Sequence, residues 1–140
     1  MTTGINHITF AVTDLPRSLS FYAEIIGCRK VAVWNSGAYL QAGDAWLCLS
    51  HDRAAVDTAG RDYTHVAFSF DAAGLAAFRA RLAAADGREW QANSSEGDSI
   101  YFLDPDGHRL EAHVGNLSSR MASLHDAPYE GLVVFKHDEP

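Results

Sequence analysis

One strand-like pattern occurs twice in this chain: a histidine followed by five residues in which strongly and weakly apolar side chains alternate. The first copy, HITFAV, begins at His7, and the second, HVAFSF, begins at His65. Alternation with a period of two predicts a half-buried strand. Each copy is followed by apolar residues at helical spacing, so the repeated unit begins with a strand and a helix. Neither half can close a core alone, and the two halves must pack together.

Each half is predicted to continue with three short strands, which gives two βαβββ modules and an α+β fold. Asp14 is a suitable N-cap for the first helix, and Gly27 and Gly87 lie where the two helices should end. The Gly-Asp pair at 43–44 and the DPDG segment at 104–107 are turn signals between strands. Side by side, the modules would form a curved, cup-shaped sheet with helices against its apolar face.

The chain is long enough to bury a core of its own, and we expect a single domain over residues 1–140. Its parts are a first module at about 4–50, a polar linker at 51–62, a second module at about 63–115, and a C-terminal helix and tail at 116–140. Within the last part, 117–124 is predicted to be a short helix and 132–135 an apolar, strand-like tail.

The overall charge argues against nucleic acid as a partner. The formal net charge is −7, the pI is about 5.3, and the sequence contains no run of Lys or Arg, whereas binding of backbone phosphates needs a basic face. No apolar run approaches the length of a membrane span and no signal sequence opens the chain, so we expect a cytoplasmic protein. Cys28 and Cys48 lie in apolar segments and are expected to be buried free thiols.

Three side chains form a candidate metal site. His7, His65 and Glu111 each lie on the less apolar face of a predicted strand, and the two histidines occupy equivalent positions of the repeat. Two imidazoles and a carboxylate suit Mn²⁺, Fe²⁺ or Zn²⁺ and leave coordination positions open for a substrate. A single strand histidine is more often structural, and a strand glutamate is often simply solvated, so the repeat symmetry carries this hypothesis.

Five other histidines compete with His7 and His65 as ligands. They are His51, His108, His113, His125 and His137. Of these, His108 follows a turn and is expected to be exposed, and the last two lie in the tail.

Several segments carry a family resemblance over nearly the whole chain. They are GINHITFAV, GAYL with AWLCLS, DYTH, NSSEGDSIYFLDPDGHRLEAHVG, and SSRMA with APYEG. Together they resemble the fosfomycin-resistance glutathione transferases (FosA) of the vicinal oxygen chelate superfamily. The resemblance implies the vicinal oxygen chelate fold, a domain-swapped homodimer, and addition of the glutathione thiol to the epoxide of fosfomycin with Mn²⁺ and K⁺.

The same resemblance implies a role for each matching position. His7, His65 and Glu111 would be the metal ligands, with His7 supplied by one subunit and the other two by its partner. Thr9 and Tyr39 would be catalytic, with Thr9 against the substrate near the epoxide. The remaining implied sets are substrate binding by Thr9, Gln91, Ser95, Ser99, Tyr101 and Arg120, a thiol channel lined by Trp34, Tyr39, Trp46 and Ser50, and a K⁺ loop formed by Asn93, Ser95, Glu96, Gly97 and Ser99.

Three positions near the substrate depart from the family pattern. Gln91 stands where lysine is usual, Ser94 where arginine or lysine is common, and Val66 where tyrosine is common. Glutamine can donate a hydrogen bond but carries no charge, and the loss of a charge-assisted contact costs roughly 1.5–3 kcal/mol. Because the metal ligands are intact, these departures bear on the affinity or identity of the anion.

Other activities fit parts of the same pattern. A related metalloenzyme could act on another electrophile, or use water as the nucleophile and release a diol. An Fe²⁺ ring-cleaving dioxygenase would use the same type of ligand set, although the cation loop and the short chain argue against it. A metal-free protein that sequesters a drug in the cup needs no ligand triad, and stoichiometric metal in the purified protein would exclude it.

Overall fold

The computed structural model of the protein describes residues 1–54, 62–94 and 96–135, so the predicted linker lies in part outside the described residues. The strands are β1 His7–Val12, β2 Arg29–Trp34, β3 Gly37–Ala42, β4 Ala45–His51, β5 Val66–Ser69, β6 Glu89–Gln91, β7 Ser99–Leu103 and β8 Arg109–His113. The helices are α1 Leu15–Ser20, which continues as a π-helical turn over Phe21–Ile26, then α2 Ala72–Ala84 and α3 Leu117–Asp126.

Each module forms a four-stranded sheet of its own. The strand order is β1-β4-β3-β2 in the first module and β5-β8-β7-β6 in the second. β1 runs parallel to β4 and β5 runs parallel to β8, whereas the other neighbours are antiparallel. The first strand of each module therefore lies at a sheet edge, next to the last strand of the same module. The predicted α+β class with paired βαβββ modules is confirmed.

The ends of the first two helices follow from the side chains there. The Asp14 carboxylate accepts a hydrogen bond from the Arg17 amide at 3.0 Å, as an N-cap should. Gly27 ends the π-helical turn with a φ of 98°, a left-handed conformation that glycine adopts without strain. α2 ends at Ala84, three residues before Gly87, and the left-handed residue after it is Asp86, with a φ of 52°. Aspartate is one of the few side chains that tolerate this conformation.

Both modules contribute to one apolar core. Tyr22 of the first module and Phe78 and Phe102 of the second are fully buried. The Phe78 and Phe102 rings lie 4.8 Å apart, and the Phe21 ring lies 6.2 Å from Phe102. Because the helical segments and the apolar sheet faces meet in this core, the opposite sheet faces are left for the candidate site.

The DPDG turn between β7 and β8 ties the modules together with polar contacts. Tyr22 donates a hydrogen bond to the buried Asp104 carboxylate at 2.8 Å. The Asp106 carboxylate accepts one from the Thr13 hydroxyl at 2.5 Å. His108 was expected to be exposed, but it is half-buried, with Nε2 2.8 Å from the Ala11 carbonyl and its ring 5.3 Å from Phe10. It is covered because this turn docks onto the first module.

The C-terminal part contains a helix but no strand among its described residues. α3 begins at Leu117, as predicted, and extends to Asp126. The segment 132–135 was predicted to be strand-like, yet it is irregular and exposed, because no neighbouring strand pairs with it in the described chain. None of the helices in the described ranges combines the length and apolarity needed to cross a membrane.

Candidate active site

The sheet alternation sorts the predicted site residues onto the faces that oppose the core. On β1, Phe10 and Val12 are buried while His7 and Thr9 are exposed. On β8, Leu110 and Ala112 enter the core, whereas Glu111 points to the other face. Since a period of two sends alternate side chains to opposite faces, the residues lie as the sequence predicts.

His65 and Glu111 are brought together in the second module. His65 directly precedes β5, and Glu111 lies on the adjacent strand β8, in register with Ala67. The His65 Nε2 atom is 3.0 Å from Glu111 Oε2. The Glu111 side chain is only 9% exposed. A carboxylate this buried needs partners that can balance its charge and its lone pairs.

The tautomer of His65 bears on whether the pair fits a metal ion. Its Nδ1 atom lies 2.7 Å from the Tyr63 carbonyl, which can only accept, so Nδ1 carries the proton. Neutral His65 then turns the lone pair of Nε2 towards the Glu111 carboxylate, and two acceptors 3.0 Å apart repel unless a cation joins them. Either a second proton or a metal ion meets that need, so the pair fits the implied divalent metal.

His7 also has its Nδ1 atom beside an acceptor oxygen, but it lies on the other sheet. Its Nδ1 atom is 2.7 Å from the Asn6 side-chain oxygen, which leaves Nε2 as the free ligand atom. Its ring packs 4.7 Å from that of Trp46. Across residues 1–54, 62–94 and 96–135, no cluster of three potential ligands forms. A single described chain thus presents two of the predicted ligands in one module and the third in the other.

Two of the residues predicted to bind an anion lie beside the His65–Glu111 pair. Ser99 and Tyr101 on β7 are 6% and 2% exposed, and Tyr101 lies directly across from Glu111. The Ser99 hydroxyl donates a hydrogen bond to Glu111 Oε1 at 2.7 Å. Arg120, on α3, donates from Nε to the Glu96 carboxylate at 3.2 Å and from Nη2 to the Glu96 carbonyl at 3.4 Å. The Arg120 guanidinium therefore anchors Glu96, one residue of the predicted cation loop.

The loop at 93–99 is partly described. The Asn93 side-chain amide donates to the Gly97 carbonyl at 2.9 Å, and Gly97 has a φ of 80°. A β-carbon at position 97 would come within 2.4 Å of the Val114 carbonyl, so glycine is required there. Ser95, predicted to contact both the anion and K⁺, lies outside the described residues.

The predicted thiol-channel residues cluster on the exposed face of the first sheet. The Tyr39 ring lies 4.7 Å from Trp34 and 5.2 Å from Trp46. Trp34 packs so closely over Gly37 that a β-carbon there would lie 2.5 Å from its ring. Ser50 is exposed farther along β4, in register with Ala11. A pocket of about 250 Å³ opens between Tyr39, Trp46 and the guanidinium-bearing Arg29.

Sequence reasoning missed several neighbours of the site. The Tyr63 ring packs 4.9 Å from His65, and its hydroxyl accepts a hydrogen bond from Gln91 at 3.4 Å. Trp90 stacks near His65 and Tyr101, and the Arg109 guanidinium lies 5.1 Å from its ring. His113, treated as a rival ligand, lies 2.6 Å from the Ser99 hydroxyl. Alternation along β8 places His113 on the face of Glu111, and this was the available signal.

Comparisons with known proteins agree with this geometry. The chain matches the model of the Glyoxalase/Bleomycin resistance protein/Dioxygenase superfamily over residues 4–112. It is 47% identical to glutathione transferase FosA of Serratia marcescens over 99% of both chains. It is 41% identical to metallothiol transferase FosB of Shouchella clausii over 95% of this chain and 94% of that protein.

A solved structure supports the same grouping. A variant of the fosfomycin resistance protein FosX from Listeria monocytogenes, complexed with Mn(II) and 1S,2S-dihydroxypropylphosphonic acid, has a TM-score of 0.78 to this chain at 27% identity, covering 89% of this chain and 100% of that one. A superfamily model that matches most of the chain, together with relatives this similar over nearly their whole length, establishes the family. The chain belongs to the Glyoxalase/Bleomycin resistance protein/Dioxygenase superfamily and, within it, to the FosA family.

Proposed function

We propose that the protein is a Mn²⁺-dependent glutathione transferase that opens the epoxide of fosfomycin by thiol addition and so confers resistance to this antibiotic. One observation carries the proposal: a buried Glu111 carboxylate faces the free Nε2 of His65, in a chain 47% identical to a glutathione transferase over its full length. The Mn(II) in the FosX complex supports manganese as the metal.

His7, His65 and Glu111 would hold the metal. Bound Mn²⁺ supplies Lewis acidity, which polarises the epoxide oxygen and stabilises the negative charge that develops as the ring opens. The protein contributes ligand positions: hydrogen bonds fix the tautomers of both histidines, and the Ser99 hydroxyl occupies one oxygen of Glu111. Such partners orient metal ligands and raise their basicity.

Arg120, Ser99 and Tyr101 would bind the phosphonate, with Thr9 near the epoxide. Arg120 would supply the positive charge, since a guanidinium can bind a tetrahedral oxyanion with two parallel hydrogen bonds. Gln91 would add a neutral donor that is shared with the Tyr63 hydroxyl at 3.4 Å. Ser95 would complete the set.

Glutathione would bind across the aromatic face of the first sheet. Trp34, Tyr39, Trp46 and Ser50 would line its channel, and Tyr39 would act in catalysis close to the thiol. The pocket between Tyr39, Trp46 and Arg29 gives a tripeptide that carries both carboxylates and an ammonium group apolar surface together with one positive and one negative side chain, Arg29 and Asp44. Glutathione is the bulk thiol of the cytosol, which agrees with a cytoplasmic enzyme.

The working enzyme would be a homodimer with each site built from two chains. The first module of one subunit would supply His7, Thr9 and the aromatic face, and the second module of its partner would supply His65, Glu111 and Arg120. The separation of these ligands within a single described chain supports this arrangement. K⁺ would bind the loop formed by Asn93, Ser95, Glu96, Gly97 and Ser99 and would help to balance the phosphonate charge.

Product analysis tests the proposal. Fosfomycin and glutathione are incubated with the protein, Mn²⁺ and K⁺, and the thiol adduct is quantified beside a Glu111→Gln variant, which keeps the size of the side chain but removes its charge. We expect adduct formation to fall by a factor of at least about 100 in the variant, the upper range for altered metal-site partners. Equal rates for the two proteins, or no adduct from Mn²⁺-loaded wild type, would contradict the proposal.

Hydrolysis is the second candidate because of the ligand in the FosX structure. The dihydroxypropylphosphonic acid found there is the compound expected when water, and not a thiol, opens the epoxide. The same incubation without glutathione separates the two activities. Diol formation at a rate matching the thiol reaction would favour a hydrolase, whereas adduct alone favours the transferase.

A further inference from the structure

His113 lies two residues after the candidate metal ligand Glu111, on the same face of β8, and has no role in the function proposed above. Its Nδ1 atom is 2.6 Å from the Ser99 hydroxyl oxygen, which in turn is 2.7 Å from Glu111 Oε1. Ser99 and His113 face each other directly across the β7–β8 ladder. With His65 at the other carboxylate oxygen, four side chains form one connected row: His65, Glu111, Ser99 and His113.

The direction of the hydrogen bonds in this row follows from counting protons. A carboxylate only accepts, so the single hydroxyl proton of Ser99 points to Glu111. The short contact between Ser99 and His113 then requires a proton on Nδ1 of the imidazole, donated to the hydroxyl oxygen. His113 therefore determines the orientation of the Ser99 hydroxyl, and through it the orientation of Glu111.

Two glycines hold the His113 ring in this position. A β-carbon at Gly97 would lie 2.7 Å from the ring atom Cε1, and one at Gly115 would lie 2.7 Å from Nε2. Both glycines have positive φ values, 80° and 142°. The backbone at these two glycines encloses the His113 ring, and a larger side chain at either position would collide with it. The His113 side chain is only 16% exposed.

We propose that His113 is a positioning residue that orders the metal ligand Glu111 through the Ser99 hydroxyl, and this inference rests on the proposed function of the site. A donor at Nδ1 keeps Glu111 Oε1 occupied by Ser99 and leaves Oε2 turned towards His65 and the metal. Without that donor, the Ser99 hydroxyl is held only by its hydrogen bond to Glu111, and the carboxylate is oriented less firmly. Partners of metal ligands typically affect metal affinity by about 10–100-fold.

Two substitutions of His113 separate this role from simple packing. In His113→Asn the side-chain amide can place its nitrogen close to the position of Nδ1, and in His113→Gln the nitrogen reaches the position of Nε2 and the donor to Ser99 is lost. Mn²⁺ affinity is measured on the full-length protein without substrate, from the electron paramagnetic resonance signal of free Mn²⁺. We expect roughly tenfold weaker binding in H113Q and recovery to within about threefold of wild type in H113N.

A double-mutant cycle with Ser99→Ala tests the route through the hydroxyl, and S99A also replaces H113Q if that variant fails to fold. If His113 acts through Ser99, S99A weakens Mn²⁺ binding by a similar factor, and S99A/H113Q is no weaker than S99A alone. The inference would be overturned if the loss of Mn²⁺ affinity in S99A/H113Q equalled the product of the two single losses. It would also be overturned if wild type, S99A and H113Q bound Mn²⁺ equally well. Mn²⁺ binding is measured without fosfomycin, so the two proposals can fail separately. If the wild-type protein binds Mn²⁺ but forms no adduct, the proposed reaction is refuted and the role of His113 is not. If the wild-type protein binds no Mn²⁺, both proposals are refuted.

Discussion

At the residue scale, Gln91 is the predicted anion-binding residue whose chemistry differs most from the family pattern. Two cations of the second module and α3 already have partners in the described structure: Arg120 contacts Glu96, and Arg109 contacts the Asp62 carbonyl and the face of Trp90. Gln91 contributes a neutral amide that donates to Tyr63. A doubly charged phosphonate bound at the proposed site would therefore meet less positive charge than it would with a lysine at position 91.

A lysine at position 91 is expected to strengthen fosfomycin binding. Gln91→Lys adds a charge-assisted contact worth roughly 1.5 kcal/mol, which corresponds to about a tenfold lower KM with little change in kcat. Steady-state kinetics at fixed glutathione measures this change. Gln91→Met is the matched control, since it keeps the length of the side chain without a donor, and an unchanged KM in Q91K would contradict the prediction.

The two cysteines are predicted to differ in reactivity. Cys28 is buried in the core, and burial raises the pKa of its thiol from 9.0 to about 11, whereas Cys48 is partly exposed between Thr9 and Tyr39. The neutral Cys28 thiol favours the folded state below pH 9, and this contribution is lost as the pH rises to about 11. At pH 7.5 its thiolate fraction is on the order of 100-fold below that of an ordinary thiol.

Alkylation with iodoacetamide, followed by mass spectrometry, tests this difference. We expect Cys48 to be modified in the native protein and Cys28 to react only after unfolding or near pH 11. Cys28→Ser and Cys48→Ser variants isolate each thiol. Native C48S protein that reacts as fast as C28S at pH 7.5 would show that Cys28 is accessible and not protected by the core.

At the scale of elements, the DPDG turn matters because it joins the two modules. Burial raises the pKa of Asp104, although hydrogen bonds from His108, Tyr22 and Asp106 act in the opposite direction. Stability from this group is therefore greatest below the ordinary carboxyl pKa and falls as the pH rises through the raised value. Burial and the Asp104 charge raise the pKa of Tyr22 well above its usual range, so the phenol keeps its proton and donates throughout neutral pH.

Removing the Tyr22 hydroxyl is expected to loosen the contact between modules. Tyr22→Phe leaves a buried carboxylate without one donor and should lower the free energy of unfolding by roughly 1.5–3 kcal/mol at neutral pH. The loss should shrink at acid pH, where Asp104 takes up a proton and the missing donor matters less. Urea unfolding at both pH values measures it. Exposed Tyr129→Phe is the control, and equal effects of the two substitutions would contradict the prediction.

The elements followed from the sequence more completely than the contacts between them. Alternation, the Asp14 cap and the turn at 43–44 predicted the order of elements in both modules and the position of β1, because each depends on neighbouring residues. The π-helical turn at Phe21–Ile26 carries no comparable local signal. His108 was misjudged because its burial depends on the docking of the turn against β1. The approach of Tyr63 to His65 depends on packing. Alternation predicts the face on which His113 lies, but its position opposite Ser99 depends on the register between β7 and β8. Such registers are set by tertiary packing, which one sequence does not reveal.

At the scale of the whole molecule, the division of the predicted metal ligands between two sheets bears on what a single chain can do. His7 projects from an edge strand of the first sheet, whereas His65 and Glu111 lie together on the second. If a site is built from two subunits, a chain lacking His7 and a chain lacking Glu111 each retain the half that the other has lost. A mixed dimer would then contain one complete site and one site that lacks both His7 and Glu111.

Complementation between inactive variants is therefore expected. His7→Ala and Glu111→Ala proteins, each inactive alone, are mixed, unfolded and refolded together, and adduct formation is assayed with Mn²⁺. Random pairing makes half of the dimers mixed, and each mixed dimer has one working site of two, so about a quarter of the wild-type activity should return. The His7→Ala protein refolded alone at the same total concentration is the control. No recovery in the mixture, with size-exclusion chromatography showing dimers, would mean that one chain supplies all three ligands.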